Sequence, residues 1–214
     1  MKLLLTSAGL SCLKIKDAFL ELLEKEPTEA KILFVTTASN PELNKDYLEV
    51  NLQNIKSCNV KNIEFMDFSK ETLISITQKL NNCDAIYMEG GNTFYLMYKL
   101  KEAGIVDILR DLVITQNKLY IGSSAGSIVA TPCIEVASLE PADPNDVGLF
   151  DFEGLDFVDF EVSPHTFDLV SLDKVREYFN KNRRKIYALD DKSAIKFTYS
   201  GIEVISEGKS ELIS

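Results

Sequence analysis

Short runs of apolar residues alternate along this chain with longer stretches in which apolar residues recur every three or four positions. The short runs are bounded by turn-forming residues and predict buried strands, whereas the longer stretches predict amphipathic helices. This alternation is typical of β-α-β units around a parallel sheet. Strands are predicted at residues 2–6, 31–37, 62–67, 85–88 and 118–122, and helices at residues 13–26, 41–57, 69–80, 93–103 and 106–116.

The pattern is less regular in the C-terminal third. Residues 139–152 are rich in Pro, Asp and Asn and lack periodicity, which predicts a long surface loop. A strand, a helix and three antiparallel strands are expected after it, with Ser200-Gly201 as the last hairpin turn. These elements cover residues 157–162, 172–182, 186–189, 194–198 and 202–206. Because no linker or repeat interrupts the pattern, we expect a single α/β domain over residues 1–214.

Composition narrows the classes of partner. The 214 residues include 33 acidic and 23 basic side chains, which gives a formal net charge of −10. A chain of this size buries a core without disulfide or metal staples. Nucleic-acid binding needs clustered Lys and Arg to neutralise phosphates, so no nucleic-acid partner is expected.

The number and spacing of the cysteines and the histidine indicate which cofactors and which cellular compartment to expect. Four cysteines without a C-x-x-C pair and one histidine exclude the common zinc sites, and no metal or organic cofactor is expected. Scattered thiols are typical of a reducing cytosol. The N-terminal apolar run ends at Leu5, too short for an export signal, and no later run is long enough to span a membrane. We therefore expect a cytoplasmic protein without a membrane partner, and leave open whether it forms a homodimer.

The sharpest chemical motif is G-x-S-x-G at residues 122–126, between a predicted strand and a predicted helix. In a nucleophile elbow, the central serine lies on a strained turn that exposes its hydroxyl. A Cβ at Gly122 or Gly126 would crowd such a turn. The motif therefore predicts Ser124 as a nucleophile, although a glycine-rich turn without catalytic function has the same pattern.

A serine hydroxyl needs a base, and His165 is the only histidine. It follows a predicted strand, and loops at the carboxyl ends of parallel strands lie close together. The third group must be a carboxylate that orients the imidazole. The segment between Ser124 and His165 offers Glu135, Glu140, Asp143, Asp146, Asp151, Glu153, Asp156, Asp159 and Glu161, and the physics of the sequence does not choose among them.

A second glycine motif, Gly90-Gly91-Asn92-Thr93, lies between a predicted strand and a predicted helix. Glycines at this position let backbone amides approach a ligand closely. We expect the Gly91 amide to pair with the Ala125 amide in an oxyanion hole, and Gly90 and Asn92 to contact substrate. Asn92 or Thr93 also caps the helix.

Three motifs together resemble peptidase family S51, which contains bacterial aspartyl dipeptidase (peptidase E) and cyanophycinase. They are G-G-N-T-F at residues 90–94, G-S-S-A-G-S at residues 122–127 and S-P-H at residues 163–165. The resemblance implies a fold similar to class I glutamine amidotransferases, a flavodoxin-like three-layer α/β/α sandwich with a mainly parallel central sheet. It also implies Ser124 as nucleophile, His165 as base, and the Gly91 and Ala125 amides as oxyanion hole.

The resemblance also suggests the third member of the triad. The aspartyl dipeptidase pattern places an acid fifteen residues after the serine, where this chain has Leu139 followed by Glu140. With a shift of one residue, Glu140 completes a Ser-His-Glu triad, and Asp143 is the alternative. Asp-specific members use an Arg after the histidine, but residues 166–174 contain none, so a preference for N-terminal Asp is not predicted.

These features together predict a serine hydrolase that cleaves peptide bonds in small peptides. Two other functions are compatible with the same motifs. One is a binding protein that keeps the fold without catalysis. The other is an amidase or isopeptidase of the cyanophycinase type.

Overall fold

The five strands predicted in the first part of the chain form one parallel sheet in the computed structural model, which describes Met1–Ser214. Their spatial order is β3-β2-β4-β5-β1. Every residue of β4 and β5 is buried, as expected for strands covered on both faces. The strands are β1 (Lys2–Thr6), β2 (Lys31–Val35), β3 (Asn62–Met66), β4 (Ala85–Met88) and β5 (Leu119–Ser123).

Helices pack on both faces of this sheet. Alternate residues of one strand enter different cores: Leu3 and Leu5 lie in the larger core cluster, and Leu4 lies in the smaller. The predicted three-layer sandwich is therefore confirmed. No helix has both the length and the apolar character needed to cross a bilayer. The helices are α1 (Leu13–Leu23), α2 (Asp46–Ser57), α3 (Leu73–Asn82), α4 (Thr93–Glu102), α5 (Val106–Arg110), α6 (Ala125–Ile128) and α7 (Leu172–Asn182).

The C-terminal strands are divided between two sheets. The hairpin of β8 (Ser193–Thr198) and β9 (Gly201–Ser206) extends the main sheet, with β8 antiparallel to β1. The prediction that residues 186–189 join this hairpin is wrong. They form β7 (Ile186–Leu189), which lies between β6 (Glu161–Ser163) and an unpredicted strand, β10 (Ser210–Ile213), in a second sheet.

The strand predicted at residues 157–162 is shorter than expected, because its first residues bond elsewhere. The Leu155 and Phe157 amides donate to the carbonyls of Val129 and Ala130, just after α6. These bonds tie the segment that leads into β6 to the residues just after α6, the helix that follows the Ser124 turn. The connection from β6 therefore leaves the sheet close to the Ser124 turn.

Candidate active site

Ser124 occupies a sharp turn between β5 and α6. Its backbone has φ 48° and ψ −111°, a combination that a non-glycine residue rarely adopts. Hydrogen bonds hold the turn from both sides: the Ser124 amide donates to the Thr6 carbonyl (3.1 Å), and the Ser124 carbonyl accepts from the Ser127 amide (2.8 Å). The strained backbone is thus fixed by its surroundings, as at other strained functional turns.

The two glycines of the motif are required by space. A Cβ on Gly122 would lie 2.6 Å from the Gly126 carbonyl oxygen and the Ser127 nitrogen. A Cβ on Gly126 would collide with the Met88 carbonyl oxygen of β4. The expectation that side chains here would crowd the turn is confirmed.

The single histidine lies beside the serine. His165 Nε2 is 2.9 Å from Ser124 Oγ. The His165 backbone has φ 55°, and its amide donates to Ser7 Oγ (2.7 Å). Its carbonyl accepts from the amides of Leu169 and Val170, which closes a tight turn. His165 therefore reaches the main-sheet serine from a loop that follows β6 of the second sheet.

Asp191 orients the imidazole. His165 Nδ1 lies 2.5 Å from Asp191 Oδ1, which also accepts from Ser7 Oγ at 3.1 Å. Burial by itself would raise the pKa of Asp191. The hydrogen bond and the charge of His165, and the hydrogen bond from the Ser7 hydroxyl, outweigh burial, so the pKa of Asp191 lies below its usual value. An ionised carboxylate can only accept a hydrogen bond, so it favours the tautomer in which Nδ1 carries the proton and Nε2 is the acceptor for the serine hydroxyl.

The prediction that Glu140 contacts His165 is therefore wrong, and so is the alternative, Asp143. The Glu140 side chain is exposed on the surface loop. The Asp143 carboxylate instead accepts from the Thr93 amide at the N-terminus of α4 (2.7 Å). Residues 139–152 lack regular structure, as predicted, and this loop runs over the start of α4.

Sequence reasoning missed Asp191 because the search was limited to acids between the serine and the histidine. The signal was nevertheless present: Asp190-Asp191 follows the predicted strand at residues 186–189. An acid at a strand end can orient the histidine whether it precedes or follows it in the sequence, because only the fold decides which strand ends meet.

The two backbone amides predicted to form an oxyanion hole, those of Gly91 and Ala125, are both free of hydrogen bonds to the rest of the chain. Gly91 has φ 130°, and a Cβ there would lie 2.5 Å from the Ala38 carbonyl carbon. The Gly91 N–H donates to no group of the chain. Ala125 is the first residue of α6, so its N–H has no intrahelical acceptor. Both predicted oxyanion donors are thus unoccupied by the helix and strand hydrogen bonds.

Asn92, predicted to contact substrate, does not line the cleft, and its side chain is used within the chain. Its Oδ1 accepts from the Tyr95 amide (2.7 Å), which caps α4, and its Nδ2 donates to the Pro144 carbonyl (2.8 Å). Only 2% of Asn92 is exposed. Gly90, by contrast, lines the cleft together with Gly91. The capping interpretation of Asn92 is confirmed.

A cleft of about 510 Å³ opens beside Ser124 and His165. Three carboxyl groups line it, and no Lys or Arg does. Burial raises the pKa of Asp143, although Thr93 and His165 oppose the rise; burial and the neighbouring Asp143 raise the pKa of Glu42. The lining residues are Ser7, Ala8, Glu42, Tyr47, Val50, Asn51, Glu89, Gly90, Gly91, Ser123, Ser124, Pro141, Asp143, His165 and Leu169.

The order hydroxyl, imidazole, carboxylate is suited to proton transfer. An imidazole within hydrogen-bond distance of a serine can remove its proton during attack on a carbonyl carbon. A carboxylate on the opposite ring nitrogen stabilises the imidazolium that results. The arrangement is thus competent for acyl transfer through a covalent serine intermediate.

Comparisons with known proteins point to one family. The model of peptidase family S51 matches residues 3–205. The uncharacterized peptidase Lmo0363 of Listeria monocytogenes is 33% identical over 180 residues, which cover 82% of this chain and 85% of that protein. Peptidase E of Nostoc sp. is 37% identical over 86 residues, 40% of this chain and 34% of that protein.

The three-dimensional comparison agrees. A crystal structure of a candidate peptidase E from Listeria monocytogenes EGD-e has a TM-score of 0.83 and 27% identity, and the match covers 97% of this chain and 98% of that one. Agreement over nearly the whole of both chains includes the parallel sheet and the C-terminal strands that position the site. The chain belongs to peptidase family S51.

Proposed function

We propose that this peptidase is a serine enzyme that hydrolyses small peptides, with Ser124 as nucleophile, His165 as general base and Asp191 as the orienting carboxylate. The observation that supports it best is the pair of contacts on the His165 ring, 2.9 Å to Ser124 Oγ and 2.5 Å to Asp191 Oδ1. An imidazole that contacts a serine hydroxyl on one ring nitrogen and a carboxylate on the other is the arrangement that activates a serine for nucleophilic attack.

In the proposed reaction, His165 Nε2 takes the hydroxyl proton while Ser124 Oγ attacks the carbonyl carbon of the scissile bond. The imidazolium then gives this proton to the departing amine, and the C–N bond breaks. In the second half, the same ring takes a proton from water as the water attacks the acyl-serine; the C–Oγ bond breaks, the acid leaves, and the imidazolium returns the proton to Ser124 Oγ. Asp191 stays ionised throughout and stabilises the imidazolium.

The Gly91 and Ala125 amides are proposed as the oxyanion hole. Both N–H groups lie outside the regular hydrogen-bond ladders, and Gly91 lines the cleft beside the nucleophile. Fixed amide donors of this kind stabilise the tetrahedral oxyanion more than the substrate carbonyl, so they accelerate the chemical step. The cleft volume of about 510 Å³ fits a short peptide.

The experiment is substitution of the nucleophile. We expect Ser124→Ala to lower kcat by about a thousandfold or more on a panel of dipeptides and tripeptides, with thermal unfolding unchanged. Ser138→Ala, at an exposed serine, is the matched control and should behave as the parent chain. The parent should also react with a fluorophosphonate probe, and Ser124→Ala should not.

The same experiment separates the other functions. A folded parent chain that neither hydrolyses the panel nor reacts with the fluorophosphonate would favour the non-catalytic binding protein. A chain that reacts with the probe but cleaves only isopeptide or side-chain amide bonds would favour the cyanophycinase-type activity. Retention of full peptidase activity by Ser124→Ala would overturn the proposed nucleophile.

A further inference from the structure

One buried carboxyl group beside the nucleophile has no part in the proposed reaction. Glu89 follows β4 directly, and none of its surface is exposed. A buried carboxyl group is costly unless its oxygens find hydrogen-bond donors. One donor that Glu89 finds is the amide of Gly90, the residue that precedes the proposed oxyanion amide, and the other is a side chain of α2.

The Glu89 carboxyl group accepts a hydrogen bond from the backbone N–H of Gly90. Its Oε2 accepts from the Gly90 N–H (2.5 Å), and its Oε1 accepts from Asn51 Nδ2 of α2 (2.6 Å). Tyr47, at the start of the same helix, holds the other side, since its hydroxyl donates to the Gly90 carbonyl (3.3 Å). Gly90 is therefore fixed at both of its backbone polar groups.

These contacts determine where the next amide points. The Gly90 carbonyl and the Gly91 N–H belong to one planar trans peptide group, in which C=O and N–H point in opposite directions. Fixing the carbonyl on Tyr47 thus fixes the direction of the Gly91 N–H. Gly90 also packs on the nucleophile, because a Cβ built on it would lie 3.2 Å from the Ser124 Cβ.

We propose that Glu89 and Tyr47 are positioning residues, which together aim the Gly91 N–H at the oxyanion formed on Ser124. The inference rests on the proposed function and adds to it two residues of the cleft wall that do not touch the reacting atoms. It explains why a carboxyl group is buried at this position, where an apolar residue would pack but could not hold the Gly90 amide.

The ionisation of this group provides a second readout. Burial raises the pKa of Glu89 to about 7, although the Gly90 amide, Asn51 and Ser123 oppose the rise. The titratable groups that face it are Tyr47 and Tyr87, and burial raises the pKa of both further above neutrality. The Tyr47 hydroxyl therefore remains a donor across the range in which Glu89 titrates.

The test uses three variants of the full chain: Glu89→Ala, Glu89→Gln and Tyr47→Phe. An amide can accept from the Gly90 N–H, and the Asn51 amide can rotate to meet its NH₂, so Glu89→Gln should keep kcat within about threefold. Glu89→Ala should lower kcat by about ten- to a hundredfold, and Tyr47→Phe by about three- to tenfold, with KM nearly unchanged. Tyr98→Phe, whose hydroxyl contacts only Glu102 on α4, is the matched control.

Two further measurements distinguish positioning from general damage. A peptide boronic acid forms a tetrahedral adduct on serine, and its affinity should fall in parallel with kcat in Glu89→Ala and Tyr47→Phe. The pH profiles of kcat for the parent and for Glu89→Gln should differ near neutrality, because only the parent has a carboxyl group at position 89, with its pKa raised to about 7.

The proposal is overturned if folded Tyr47→Phe and Glu89→Ala keep the parent kcat, or if their losses appear in KM alone. It is also overturned if Glu89→Gln is as impaired as Glu89→Ala. Should Glu89→Ala not fold, Tyr47→Phe and Glu89→Gln still decide the matter. Absence of hydrolysis and of fluorophosphonate labelling in the parent chain would refute the proposed function itself.

Discussion

At the scale of single residues, the site depends on backbone conformations that residues other than glycine seldom adopt. Ser124 (φ 48°) and His165 (φ 55°) both lie in the left-handed region. Each such residue costs on the order of 1–3 kcal/mol, which the surrounding hydrogen bonds must offset. Both residues are anchored where β1 ends: Ser124 through the carbonyl of Thr6, the last residue of β1, and His165 through Oγ of Ser7, the next residue. One short segment therefore sets the distance between hydroxyl and imidazole.

Replacement of the orienting acid tests the residue-scale assignment. Asp191→Asn should lower kcat by about a thousand- to ten-thousandfold, because a neutral amide neither favours the Nδ1–H form of the ring nor stabilises the imidazolium. Glu140→Gln is the control and should keep the parent kcat, since its side chain is exposed and does not contact His165. Steady-state kinetics on one good dipeptide substrate suffice. Severe loss in Glu140→Gln with full activity in Asp191→Asn would reverse the assignment.

At the scale of elements, the sequence predicts what is local and misses what depends on assembly. The apolar runs identify β1 to β5, and the glycine spacing identifies the Ser124 turn, because strand burial and turn sterics act over a few residues. Asp191 was missed because no local pattern says that the strand end at Leu189 faces His165. β10 was missed because Ser210–Ile213 has one buried residue, too few to form a pattern. The division of the last strands between two sheets is likewise a result of packing.

A carboxylate at the end of β3 provides a test of how one element is joined to the next. Asp67 accepts from Asn40 Nδ2 and from the Ser69 amide and hydroxyl, and pairs with Lys70. Burial opposes its ionisation, but these donors lower its pKa from 3.8 to about 2. Its contribution to stability is therefore present above pH 3.8 and is lost as pH falls towards 2.

Asp67→Asn should accordingly lower the free energy of unfolding at pH 7 by about 1–2 kcal/mol. The difference between parent and variant should shrink as the pH falls from about 4 to about 2, where the parent carboxyl also becomes neutral. Urea unfolding monitored by circular dichroism at several pH values measures both. Equal stability of the two chains at pH 7 would show that the network contributes nothing.

At the scale of the whole molecule, charge bears on which peptides reach the serine. The chain has a formal net charge of −10, and Glu42 and Asp143 line the cleft without an opposing Lys or Arg; Glu89, with a pKa of about 7, is only partly ionised near neutrality. Repulsion between like charges extends over about 30 Å at about 0.01 M ionic strength and is screened by added salt to about 10 Å at about 0.1 M. An acidic side chain on the substrate is therefore opposed both on approach and in the cleft.

A pair of nearly isosteric substrates isolates this effect. Asp-Leu should be hydrolysed with a kcat/KM at least about tenfold below that of Asn-Leu at low salt, since the two differ mainly in charge. The preference for Asn-Leu over Asp-Leu should fall by about threefold or more in 0.5 M NaCl. It should also fall in Glu42→Gln. Faster cleavage of Asp-Leu than of Asn-Leu would indicate a cation in the bound complex that the free cleft does not contain.

The connection from the second sheet back to β8 has a consequence for biosynthesis. Asp191 lies in that connection, 26 residues after His165. A growing polypeptide that already contains Ser124 and His165, but not yet Asp191, lacks the carboxylate that fixes the tautomer of the imidazole. On the proposed assignment, hydrolytic activity would therefore arise only after Asp191 has been synthesised and has folded against His165.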